Sequence, residues 1–200
     1  MAASRSLIGD VTLTLSSPYG APTPPPGVYT NANGSILTNL VTSPETQGTT
    51  QYVCTGWAMT GNEPVSGANS AMTMTHTNDA SLTWLWATNY WLDVTTNGQG
   101  YVDITNGWFE DGSNLVVTAT PATNNNFTGW TGDTNGCAIV DNQINIPMNM
   151  PRAITANFAL DTYTLDISST SGGSVTAPGE GIFTNNYGAT PTITATSPRG

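Results

Sequence analysis

Basic residues are almost missing from this chain. It contains no lysine, one histidine and only three arginines against thirteen acidic residues, giving a formal net charge of −10. Phosphate backbones and anionic lipid headgroups repel such a surface, so neither a nucleic-acid partner nor membrane insertion is expected. The lack of lysine also excludes a Lys–Asn isopeptide crosslink. Long apolar runs are absent too, and nothing approaches the roughly 20 residues that span a bilayer. The first residues, Met1 to Ile8, lack the apolar stretch of a secretory signal, so 1–10 reads as a leader at the start of a piece of a longer exported protein. Cysteine is scarce. Cys54 and Cys137 fit no metal-ligand spacing, which leaves a disulfide between them or, for Cys54, a small apolar core position.

The same scarcity argues against catalysis. His76, the single histidine, sits in the alternating run Met72-Thr73-Met74-Thr75-His76-Thr77 and is expected on a strand face or edge. There is no nucleophile elbow, no Cys–His arrangement and no pair of carboxylates placed for acid–base work. No catalytic residue is assigned, and the chain is not expected to be an enzyme. Asp111 and Asp133 lie in oxygen-rich turns and are the calcium candidates, but neither turn has the EF-hand pattern. Asp-Gly and Asn-Gly are also ordinary turn residues. No cofactor is therefore expected.

What the chain does have is internal repetition, which outranks local signals in reading a fold. Cys54-Thr55-Gly56-Trp57 recurs as Phe127-Thr128-Gly129-Trp130. Val11-Thr12-Leu13-Thr14-Leu15 matches Tyr90-Trp91-Leu92-Asp93-Val94 and Tyr163-Thr164-Leu165-Asp166-Ile167. Gly27-Val28-Tyr29 matches Gly107-Trp108-Phe109 and Gly181-Ile182-Phe183, and Leu82-Thr83-Trp84-Leu85-Trp86 matches Ile154-Thr155-Ala156-Asn157-Phe158. These matches divide the chain into repeat unit 1 (11–89), repeat unit 2 (90–160) and the N-terminal half of repeat unit 3 (161–200). Thr88-Asn89 and Leu160-Asp161-Thr162 are the joints, too short to serve as flexible linkers.

Each matched segment alternates apolar and polar residues, and no segment has a helical period, so the units are all-β. The equivalent aromatics, Trp57, Trp130, Trp86, Phe158, Tyr29, Phe109 and Phe183, form the expected repeat core. Trp108 stands where Val28 and Ile182 stand in the other units, so core packing is expected for it as well. Trp91 is different, because its counterparts are Thr12 and Thr164 and it alternates with Asp93. It is expected on the outward face, either capping a joint between units or offering a platform to a sugar ring.

In these segments, most fully between Leu92 and Phe158, the chain resembles the divergent InlB B-repeat family, small repeat domains of bacterial surface and secreted proteins. The resemblance implies compact all-β modules, β-grasp-like or β-sandwich-like, in a stalk-like tandem array. It further implies an extracellular or cell-surface location in bacteria and a non-enzymatic, adhesin-like spacer function. Neighbouring repeats are the implied partners, with a surface glycan or protein as a further one. Two finer readings accompany it: filament assembly by strand complementation through the half unit, and a carbohydrate-binding module that uses exposed aromatics.

Overall fold

The computed structural model describes residues 9–197, so the leader's first eight residues and the last three of the third unit lie outside it. The described residues contain strands and turns and no helix. Among the described residues no helix is therefore long and apolar enough to cross a membrane. The strands are β1 (Asp10–Ser16), β2 (Gly27–Ala32), β3 (Ser35–Leu40), β4 (Glu45–Gln47), β5 (Thr50–Thr60), β6 (Ser66–Gly67), β7 (Ala71–His76) and β8 (Ala80–Asn97). There follow β9 (Gly100–Val102), β10 (Gly107–Glu110), β11 (Ser113–Pro121), β12 (Asn125–Gly132), β13 (Ala138–Val140), β14 (Gln143–Met148) and β15 (Arg152–Leu160). The last four are β16 (Thr162–Ile167), β17 (Ser174–Ala177), β18 (Gly181–Asn186) and β19 (Thr194–Thr196).

Packing divides these residues into two compact units. The first holds the described residues through Leu92, with Asn106–Asn114 and Pro147–Arg152. The second holds Asp93–Thr105, Leu115–Ile146 and the residues from Ala153 on. β8 is a single strand of 18 residues and runs unbroken through Thr88-Asn89, where the repeat pattern places a joint.

In the first unit β1 pairs antiparallel with β2, from Asp10↔Ala32 to Leu15↔Gly27. Its other edge pairs in parallel with the start of β8, from Leu13↔Ala80 to Ser16↔Thr83. β8 then runs antiparallel to β5, and β3 with β7 makes a separate two-stranded sheet. Alternation turns Leu13, Leu15, Trp57, Met59, Leu82 and Trp84 inward against Met72 and Met74 of β7, forming one core with contributions from both sheets. Burying each of these large side chains contributes about 1.5–3 kcal/mol, and this offsets the ordering of so many short strands.

In the second unit the order β13-β14-β11-β9 makes one sheet, while β12 pairs with β15. β15 also pairs with β8. There the Thr95 and Thr155 hydroxyls lie 2.9 Å apart, and Asn97 donates to Asn157 over 3.1 Å. Val94, Val117, Ala119, Trp130, Ile144, Ile146, Ile154, Ala156 and Phe158 are buried. β16 with β18 and β17 with β19 form two further two-stranded sheets.

The recurring cassette proves to be a β-bulge. The register of β5 on β8 shifts between Cys54 and Gly56, and that of β12 on β15 shifts between Phe127 and Gly129. Thr55 and Thr128 are thus the extra residues of the two bulges. Both glycines have positive φ, 137° at Gly56 and 141° at Gly129, a conformation glycine adopts at little cost. Beyond each bulge the tryptophan turns inward: Trp57 opposite Trp84, Trp130 opposite Ala156. The sequence spells Thr-Gly-Trp twice because the same backbone kink is made twice.

Candidate interaction face

The face is built on β8, whose two sides differ. Leu82, Trp84 and Leu92 are buried on one side. The other side presents Asn89, Trp91 and Asp93, because successive side chains alternate. β10 lies along this stretch with Glu110↔Asn89, Phe109↔Tyr90, Trp108↔Trp91 and Gly107↔Leu92. Cross-strand partners share a face, so Trp108 stands beside Trp91. Their rings meet edge to face, with centroids 5.2 Å apart and planes at 69°. Both are half-buried.

This placement corrects the core position expected for Trp108. Its counterparts Val28 and Ile182 are 68% and 72% exposed, so the position faces outward in all three frames. The pairing also differs in register. Thr14 opposes Val28 and Asp166 opposes Ile182, but Trp108 opposes Trp91 rather than Asp93. A shift of two residues keeps every side chain on its own face, and here it sets one indole beside the other.

Polar residues adjoin the pair. Asn89 is opposed by Glu110 on β10 and by Gln51 on β5, which puts two amides and a carboxylate on the indole side of the sheet. Gln51 donates to Thr46 Oγ1 at 3.3 Å, and the Trp91 backbone N–H donates to the Thr49 carbonyl at 3.0 Å.

The seven aromatics of the expected repeat core are buried or half-buried. Trp57, Trp130 and Phe158 are buried, and Tyr29 and Trp86 are half-buried against the first core. Phe109 and Phe183 are half-buried, opposite Tyr90 and Leu165. Trp86 belongs to a cluster the repeat pattern gives no reason to expect. Tyr19 stacks on Tyr52 at 3.6 Å and meets Trp86 edge-on at 5.8 Å, while the Trp86 indole donates to Ser17 Oγ at 3.1 Å. Beside it the Gly20 N–H donates to Glu45 at 2.5 Å, which with the Gln47 amide holds that carboxyl below the usual glutamate range. The neighbouring Tyr52 hydroxyl pushes Tyr19 up. Tyr19 lies in a proline-rich connection with no alternation to read, so its partners emerge only in the fold.

His76 ends β7 opposite Ser35, on the inward face of that strand with Met72 and Met74, and is fully buried there. Its Nδ1 lies 3.4 Å from the Asn31 amide, whereas Nε2 has no partner. Its place in the second frame is taken by Met148, also fully buried: the Gly34 N–H donates to the His76 carbonyl as the Gly112 N–H does to that of Met148.

Cys54 and Cys137 are not bonded to one another, so the disulfide that their scarcity left open is not formed. Cys54 packs against the first core opposite Trp86. Asp111 sits in the β10–β11 turn with its N–H on the Thr88 carbonyl, and Asp133 accepts from the Ala153 N–H at 2.8 Å. No group of three His, Cys, Asp or Glu placed to hold a metal occurs among the described residues. Asp79 likewise accepts from Thr12, by the backbone N–H at 2.7 Å and the hydroxyl at 2.9 Å, and these bonds lower its pKa.

Comparison with known proteins finds no match among curated proteins and none among solved structures. A family profile does match, and it covers the second frame from the strand bearing Trp91, through the Phe127–Trp130 bulge, to the start of β16. Residues 90–162 match the divergent InlB B-repeat domain.

Proposed function

We propose that this chain is a non-enzymatic structural module of a bacterial surface or secreted protein, its β frames joined in tandem as an adhesin-like stalk or spacer. The observation that carries this reading is the identical bulge of the two Thr-Gly-Trp cassettes, one inside the matched segment 90–162 and one before it. A frame repeated along a chain supplies length and rigidity without needing a reactive centre. Antibodies against the purified chain, applied to intact cells of the source organism, test the location. Labelling of intact cells or of the secreted fraction is expected. Labelling confined to lysed cells contradicts the proposal.

Filament assembly by strand complementation is a second reading, favoured by one observation. β1 is covered on one edge by β2 and on the other by β8, whereas its counterpart β16 pairs only with β18 among the described residues. An open edge of this kind recruits strands from other chains. Light scattering across a concentration series tests it: growing oligomers support the reading, and a monomer throughout contradicts it.

A further inference from the structure

We propose that the outward face of β8 around Trp91 and Trp108 binds a neutral, β-linked oligosaccharide. This goes beyond the spacer reading and does not depend on it.

The first support is the departure from the frame. At the positions of Trp91 and Trp108 the other two frames carry Thr12 and Val28, or Thr164 and Ile182. Only the second frame places an indole at both, and its register sets the two side by side. Burial of the frame's own core does not call for them, since Leu92 on the opposite side of β8 is already fully buried.

The second support is the shape and chemistry of the patch. Rings at 69° to one another give a floor and a wall in place of one flat stack. The C–H-rich face of a sugar with equatorial substituents packs on such an indole, and its hydroxyls need donors and acceptors at the rim. Gln51, Asn89 and Glu110, on the same side of the sheet, supply both.

The third support is charge. The side of β8 that bears the indoles carries the carboxylates Glu110 and Asp93, on a chain of net charge −10 without lysine. Anionic polysaccharides are repelled, so the ligand is neutral.

Titration calorimetry of the full chain with cellohexaose and with chitohexaose tests the proposal, with polygalacturonate as the anionic control. Saturable binding of at least one neutral hexasaccharide and none of the control is expected. Trp91→Ala and Trp108→Ala should each weaken binding at least tenfold, and Gln51→Ala, at the rim and away from the ring pair, several-fold. Near-UV circular dichroism establishes that each variant is folded. Absence of binding to both neutral probes overturns the proposal. So does binding that folded Trp108→Ala and Gln51→Ala leave unchanged. A Trp91→Ala chain that melts lower, from a parent that binds neither sugar, makes the pair a structural cross-strand contact instead.

Discussion

Gly56 and Gly129 occupy the same position of the same bulge, with φ within a few degrees of one another, but their surroundings differ. A methyl at Gly56 collides with the Gly67 carbonyl, whereas at Gly129 nothing lies within 4 Å. Gly129→Ala should therefore cost only the backbone strain, about 1–2 kcal/mol, and Gly56→Ala distinctly more, about 3 kcal/mol or above. Urea denaturation of the two variants gives the comparison. Equal losses would mean that the two bulges are not placed as described.

His76 fills a core position with one ring nitrogen unpartnered, and the second frame uses Met148 in its place. His76→Met removes a buried orphan polar atom and gives up one long contact to Asn31. The variant should be more stable by about 1 kcal/mol, measured as a higher urea midpoint at unchanged m. A lower midpoint would show that the imidazole makes a bond that matters to the fold.

Acid should weaken the first unit through Asp79 and Glu45. Both carboxyls are held low by backbone N–H donors, from Thr12 and Gly20 respectively. A carboxyl with a depressed folded pKa contributes stability above its unfolded value, about 3.9 for Asp and 4.3 for Glu, and loses it as pH falls through the folded value. Melting temperature should hold level above about pH 5 and decline below about pH 4. Asp79→Asn should melt lower at neutral pH and show a shallower acid decline. An unchanged acid decline in both Asp79→Asn and Glu45→Gln would contradict this assignment.

The thiols give a simpler check. Alkylation of the unfolded chain without reductant should add two adducts to the intact mass, one each at Cys54 and Cys137. No adduct without reductant, and two with it, would mean that a disulfide forms after all.

The sequence made some of this legible because alternation is a local code. Leu92 and Val94 are buried, as the pattern of that strand requires, and Trp91 faces the other way. Thr-Gly-Trp was visible as a repeat, but its meaning as a bulge depends on a partner strand some thirty residues away, Trp86 for Cys54 and Phe158 for Phe127. Trp108 reads as a core residue because the apolar Val28 and Ile182 stand at its position, yet all three face outward, and what sets Trp91 beside it is cross-strand register, a property of two strands together. The Tyr19–Tyr52 stack and the burial of His76 are long-range in the same sense: neither segment contains the residues that cover it.

Single-molecule stretching of the full chain from its two ends tests the central claim, that these frames form a structural module that resists tension, most directly. Strands held by cooperative cores should resist extension and yield in discrete force peaks, with Gly56→Ala lowering the force at which the first unit gives way. A chain that lengthens smoothly, with no peak and no effect of Gly56→Ala, would contradict a stalk or spacer function.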